Sequence, residues 1–426
     1  MLASERRGSV EAVGAAVIEV AGVVEDMQRA IEAPFARALG RPFAWSPARS
    51  VDVSARANVH RMIRAITKVS VLGLGQLAEM TAPSTAKSIV ATPNGAAVVA
   101  GLTCAFGDHL SLAQNALAPT MEIREAGQVI PRTPAGLSAG FPAAADTVVV
   151  YVHGLGATDF GWGGDSSFGR RLERETDGKV SSVVLAYNSG AHIHDNAADL
   201  NRLLADLVAS WPVKVNRLVL VGHSMGGLVI RGASHLALEQ AAPSDRRVRV
   251  DQARPAWWTD LVTEVFLIGT PHRGAPLEQV SALGISVLDS MPHTAPLARL
   301  GNRRSAGIKD LRIGTVIAAE LDPQDPEVRE PSRHLTAACL PKAKYHVIAS
   351  TLLSQSWGPL SEYFGDALVP VSSALSDPDA NGREGIPNAE VHRLRGVKHA
   401  ELQTHDAVYE VLRGVLVAKQ LLDCWG

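Results

Sequence analysis

From Val10 the apolar positions Val13, Val17, Val20, Val24, Met27 and Ile31 recur at alternating steps of three and four, the stripe of a helix that Pro34 brings to an end. A second helical pattern sets Val59, Met62, Ile63, Ile66 and Val69 on one side, with Arg56, His60, Arg61, Arg64 and Lys68 largely on the other. The texture changes after Pro119. "MEIREAGQVIPRT" alternates polar and apolar residues around Ala126-Gly127 and predicts a β-hairpin. From Thr147 onward, apolar β-rich blocks alternate with helical patterns: "TVVVYVHG", "SSVVLAYNSG", "RLVLVGHS", "TEVFLIGTPH", "KYHVIAST" and "AEVHRLRGVKH". Near-continuous apolar strands separated by helices predict an α/β fold, a mostly parallel sheet covered on both faces. Leu200, Leu203, Leu204, Leu207, Val208 and Trp211 supply one amphipathic crossover helix between the second and third blocks.

These textures divide the chain into a helical N-terminal extension, 1–118, and an α/β domain, 119–426. Within the latter, 277–341 forms a long insertion between the fourth and fifth blocks, containing "VSALGISVLDSM" and "GIKDLRIG". Insertions at this level of a sheet commonly cover the site, so it reads as a lid, with Leu277, Ile285, Leu288 and Ile308 as candidate substrate-facing residues. The most apolar window, Ser88 to Phe106, has nearly the length of a membrane span but is interrupted by Pro93 and Asn94. A buried hairpin of helices is expected there.

Composition narrows the classes. Of 426 residues, 41 are basic and 43 acidic, so charge recommends no nucleic-acid partner. Cys104, Cys339 and Cys424 are too few and too scattered for a disulfide framework or a C-x-x-C knuckle and read as reduced thiols. With no apolar run leading to an A-x-A site near the N-terminus, a cytoplasmic setting is expected. The basic helix either packs within the protein or offers a peripheral membrane contact.

Ligands of an open parallel sheet collect beyond the carboxyl ends of its strands, so the residues following each block carry the chemistry. The third block runs into Gly222-His223-Ser224-Met225-Gly226, a G-x-S-x-G pattern between a strand and a helix, where flanking glycines permit the sharp turn that exposes a serine hydroxyl. Serine is a poor nucleophile near neutral pH without a base and an acid that orients the base. Downstream, Asp366 sits on a glycine-marked turn in "EYFGDALVPVSSAL", in competition with Asp377 and Asp379 of a polar loop. His399 follows the last block and competes with His405 and His392, the latter inside the strand itself. The first block ends His153-Gly154-Leu155-Gly156, a turn suited to aiming amides at a developing oxyanion. His272 is expected to fix the "TPHRG" loop. His192, His194 and Asp195 lack a third histidine at recognisable spacing, and Asp195 or Asn196 suits a helix cap, so neither metal nor cofactor is expected.

The pieces "VHGLG", "YNSG", "VGHSMGG", "LIGTPHRGAPLE", "RSAGIKDLR", "GDALVPVSSA" and "GVKHAELQTHDAVYEVL", in this order from about Met121 to the C-terminus, resemble the α/β-hydrolase lipases and esterases. More narrowly, they are similar to the group of GPI inositol-deacylase and its bacterial relatives. The resemblance implies the α/β-hydrolase fold and a serine hydrolase of carboxylic esters acting through an acyl-enzyme. Residue by residue, it implies Ser224 as nucleophile, His399 as general base and acid, Asp366 as orienting acid, and the amides of Leu155 and Met225 as the oxyanion hole. A hydrophobic ester or lipid is the implied substrate. One departure is Ala367, where such proteins often carry a second glycine after the aspartate. A thioesterase, acyltransferase or polyester depolymerase would use the same triad, whereas a non-catalytic lipid-binding scaffold would not need it.

Overall fold

The computed structural model describes residues 2–11, 88–241, 257–275, 305–318, 337–352, 365–375 and 385–423. Both N-terminal helical stripes lie almost wholly outside these residues. Contacts divide the chain into one unit of Met1–Ile89 with Leu112–Leu117 and a second of Val90–Ser111 with Ala118–Gly426. Sequence texture alone draws the boundary at 118; the contacts put 90–111 with the larger unit. In the smaller unit a helix covers 3–11, and buried Glu5 accepts hydrogen bonds from the Ile89 amide and the Ser88 hydroxyl.

Helix α1 (Pro93–Leu112) follows a short 3-10 turn and bends by 90° between Pro93–Cys104 and Phe106–Leu112, so the expected hairpin of helices over 88–106 is a bent helix whose turn lies near residue 105. Pro93 begins the helix instead of breaking it, since its missing N–H falls in the first turn, where no intrahelical partner exists; Thr92 Oγ1 accepts from Gly95 N at 3.2 Å. Among the described residues no single helix is long and apolar enough to cross a membrane; the halves Pro93–Cys104 and Phe106–Leu112, bent by 90°, pass together by length and composition only.

The larger unit is built on eight strands: β1 (Glu122–Glu125), β2 (Gln128–Ile130), β3 (Thr147–Val152), β4 (Val180–Ala186), β5 (Arg217–His223), β6 (Val262–Ile268), β7 (Lys344–Thr351) and β8 (Glu390–Arg395). Their order is β2-β1-β4-β3-β5-β6-β7-β8. β1 runs antiparallel to β2 and β4, and every later pairing is parallel. The β1–β2 hairpin turns on Ala126 (φ 48°) and Gly127 (φ 75°), two left-handed residues whose twist suits a two-residue connection.

Pleat parity splits the core. Val148, Val150, Val152, Leu218, Leu220, Val265, Leu267 and Val347 face one layer, with Leu200, Leu203, Leu204 and Leu207 of the crossover helix and Leu228 and Val229 of the helix after β5. Val149, Tyr151, Val219, Val221, Phe266, Ile268 and Ile348 face the other, covered by Phe168 and Leu172 of α2 (Phe168–Glu175) and by Val408, Tyr409 and Leu412 near the C-terminus. The crossover helix is α3 (Ile193–Ser210); burying its four leucines contributes roughly 6–12 kcal/mol before conformational entropy is subtracted. The remaining helices that matter are α4 (Met225–Ala241), α5 (Ala306–Ile313) and α6 (Asp406–Asp423).

Candidate active site

The turn from β5 into α4 sets the geometry. Ser224 has φ 53°, a left-handed conformation that a residue with a β-carbon adopts only under constraint. Its amide donates to Ile268 O of β6 at 2.8 Å, which ties the turn to the neighbouring strand. A β-carbon on Gly226 would lie 2.3 Å from Val152 O, and one on Gly222 would lie 2.6 Å from Gly227 N. Both glycines are therefore required by close backbone approach. Met225 is the first residue of α4, so its amide has no partner within the helix and points out of the N-terminus.

Asp366 and His399 come together on the next strand ends. His399 Nδ1 lies 2.7 Å from Asp366 Oδ2, and both side chains are buried. The other oxygen of Asp366 accepts from the amides of Leu368 (3.1 Å) and Val369 (2.8 Å), so the carboxylate is held on both sides. The His399 amide also donates to Asp366 O at 3.0 Å. Because a carboxylate only accepts, His399 carries its proton on Nδ1 and presents a lone pair at Nε2. A β-carbon on Gly269, next to the Ile268 carbonyl that holds Ser224, would lie 3.2 Å from His399 Cε1 and 3.3 Å from Asp366 Oδ2. The Asp366 and His399 side chains thus flank Gly269, and the carbonyl just before it accepts from the Ser224 amide. Ser224 Oγ and His399 Nε2 are both buried and make no hydrogen bond among the described residues, so the serine–histidine bond is not formed here. Such bonds are commonly long in the free protein and tighten on substrate.

Ala367 adopts φ 83°. This is the left-handed region that favours glycine, and it lies in the turn whose Leu368 and Val369 amides reach back to Asp366 Oδ1.

The turn after β3 is held by His153, which the sequence suggests as a hydrogen-bonding scaffold residue, and by Tyr187 and Ser189, whose roles are not legible in sequence. Gly156 N donates to Ser189 Oγ at 3.0 Å, and Tyr187 Oη donates to His153 O at 2.7 Å. His153 stacks on Tyr187 and donates from Nδ1 to Gly154 O at 2.9 Å; burial pushes its pKa down to about 4. Leu155, buried in this turn, follows a glycine whose β-carbon would lie 3.0 Å from Ser224 Cβ, so the turn abuts the serine. His223 was the other missed residue. Its Nε2 donates to the carbonyl of His399 at 3.0 Å, and burial, with His399 beside it, lowers its pKa to about 3. The only sequence signal was the histidine inside "GHSMG" itself.

The competing candidates lie elsewhere. His405 Nδ1 accepts from Ala407 N at 3.2 Å at the start of α6, and His392 sits on the edge strand β8. Asp377 and Asp379 lie outside the described residues, as do Leu277, Ile285 and Leu288 of the expected lid. Ile308 is buried in the core on α5 at 4% exposure. His272 accepts from Arg231 Nη1 at 3.1 Å, while its amide donates to Ser373 O, which pins the "TPHRG" loop to the segment after Asp366. The amide of Ile193 at the start of α3 is capped by Asp310 Oδ2 at 2.8 Å, not by Asp195 or Asn196. Asp310 also bonds His192 at 3.1 Å, bringing a third potential ligand beside His192 and His194 that spacing could not reveal.

Residues 149–407 match the model of the alpha/beta hydrolase family. The chain belongs to this family. Its strand order, with helices on both faces and an N-terminal helical extension, is the α/β-hydrolase fold, and membership supports an ester-hydrolysing enzyme at family level. Similar solved structures include the mature form of lipase BlEst2 from Bacillus licheniformis, at 18% identity and TM-score 0.39, covering 64% of this chain and 92% of that one. Another is a lipase-esterase related protein from Clostridium acetobutylicum, at 11% identity and TM-score 0.33, covering 64% and 95%. No curated protein matches the sequence.

Proposed function

We propose that this α/β hydrolase cleaves carboxylic esters by acyl transfer to water. The observation that carries the reading is the left-handed Ser224 at the β5–α4 turn, its amide held by Ile268 O, while the hydrogen-bonded Asp366–His399 pair flanks the adjoining Gly269. Ser224 Oγ attacks the ester carbonyl as His399 Nε2 takes its proton; the amides of Leu155 and Met225 hold the oxyanion; His399 then protonates the leaving alcohol. Water repeats the sequence on the acyl-enzyme. Asp366 keeps His399 in the Nδ1–H tautomer throughout.

The motif series similar to GPI inositol-deacylase supports a hydrophobic or lipid ester as substrate, and the basic amphipathic pattern of Arg56, His60, Arg61, Arg64 and Lys68 supports a peripheral membrane contact. The test is labelling by a fluorophosphonate probe, run with esters of increasing acyl length. Stoichiometric labelling that is lost in Ser224→Ala, together with turnover, is expected. Unchanged ester hydrolysis by a folded Ser224→Ala protein overturns the assignment.

A further inference from the structure

At the opposite end of the sheet from Ser224, the beginnings of β7 and β8 bring together side chains that ester hydrolysis does not use. The parallel register pairs His346 with Glu390 and Ile348 with His392. Glu390 and His392, two residues apart, therefore share one face of the edge strand, with His346 on the same face of its neighbour. We propose that His346, His392 and Glu390 form a binding site for a divalent transition-metal ion, with Zn2+ the best fit.

Three observations support it. First, donor atoms of the three side chains all lie within 4.8 Å of one another, and His346 Nδ1 is 3.3 Å from His392 Nε2. Two nitrogens bound tetrahedrally at about 2.0–2.1 Å from zinc stand about 3.3–3.4 Å apart. Second, the ring of His346 is already set for ligation. Fully buried Glu264 of β6 lies 2.8 Å from His346 Nε2, and a carboxylate only accepts, so the ring proton sits on Nε2 and the Nδ1 lone pair faces His392. Carboxylate–histidine–metal arrangements are built this way. Stacking on Phe266, with centroids 4.5 Å apart, holds the ring plane. Third, Glu390 oxygens lie 3.6 Å from His392 Nε2 and 3.8 Å from His346 Nδ1, so a small side-chain rotation closes a third bond.

Two nitrogens and one carboxylate favour zinc or cobalt over magnesium or calcium, and solvent completes the fourth position. Lys344 is the competitor: its Nζ holds Glu390 Oε2 at 2.5 Å from a half-exposed position, and the ion displaces it. The cluster of His192, His194 and Asp310 is less suited, because Asp310 Oδ2 is already committed to the Ile193 amide. An ion at His346 clamps the exposed edge strand β8 to β7 and so steadies the strand that leads through Gly396 to His399.

The test is a Co2+ titration of the full chain after dialysis against a chelator, read by the visible absorption of four-coordinate cobalt, followed by Zn2+ competition and thermal melting. One Co2+ per chain is expected, displaced by Zn2+, with a rise in Tm as either ion is added. His392→Ala should abolish the signal and Glu390→Gln should weaken binding at least tenfold. Lys344→Ala should tighten binding, and His194→Ala should leave it unchanged. His392 and Glu390 are partly exposed, so these variants test the site without disturbing the core. A wild-type chain with no four-coordinate spectrum, or a His392→Ala chain that binds Co2+ as the wild type does, overturns the proposal.

Discussion

Replacing Asp366 by Asn isolates the electrostatic part of the site from its architecture. In the native protein Oδ1 of Asp366 accepts two amides, from Leu368 and Val369, and Oδ2 accepts from His399 Nδ1. An asparagine has one oxygen, and leaving two buried amides unpaired would cost about 1–3 kcal/mol each, so that oxygen stays with the amides. The Nδ2 group then faces His399. Two donors cannot share that 2.7 Å contact, so the imidazole changes tautomer, accepting at Nδ1 and carrying its proton on Nε2, where it can no longer take one from Ser224. The equivalent change in a serine protease costs about 10⁴ in kcat, and four tenfold steps correspond to about 5.4 kcal/mol of transition-state stabilisation. The assay is kcat and KM on a nitrophenyl ester beside a thermal melt. A drop in kcat near 10⁴-fold, with Tm within a few degrees of wild type, is expected. A loss below tenfold in a folded protein would refute the tautomer argument, whereas Asp366→Ala should lower both activity and Tm, because it strands the two amides.

Ala367→Gly should raise stability by about 1 kcal/mol, since the left-handed φ of 83° penalises a β-carbon by more than the extra chain entropy of glycine costs; denaturant unfolding reads it, and a lowered midpoint with unchanged slope would contradict the strain. Stability should also depend on acid through two buried histidines. The folded-state pKa values of His153, about 4, and His223, about 3, lie below the usual 6.5, so their contribution is complete above pH 6.5 and is lost as pH falls toward those values. At full proton difference each adds about 1.4 kcal/mol per pH unit to the slope. His223→Gln, whose amide can still donate to His399 O, should remove its share of that slope, and an unchanged pH profile of unfolding would dismiss the assignment.

Local period and local sterics are readable from the chain alone. Alternating apolar blocks became β3 to β7 because two covered faces need apolar residues of both parities, whereas β8 is a polar edge strand; the leucine stripe became α3 because its spacing closes on one helix face. The glycines around Ser224 were legible as a sharp turn because backbone there meets backbone. The pairings between distant segments come from the folded chain. That His399, and not His405 or His392, meets Asp366 depends on which strand ends converge at Gly269. His223 clamps the carbonyl of His399 across 176 residues, and Asp310 caps α3 across 117. Neither contact leaves a periodic trace, because a hydrogen bond between distant segments constrains one position in each. The same reason hid the His346–Glu264 contact: buried polar residues inside apolar strands look out of place in sequence until the neighbouring strand shows what each one holds.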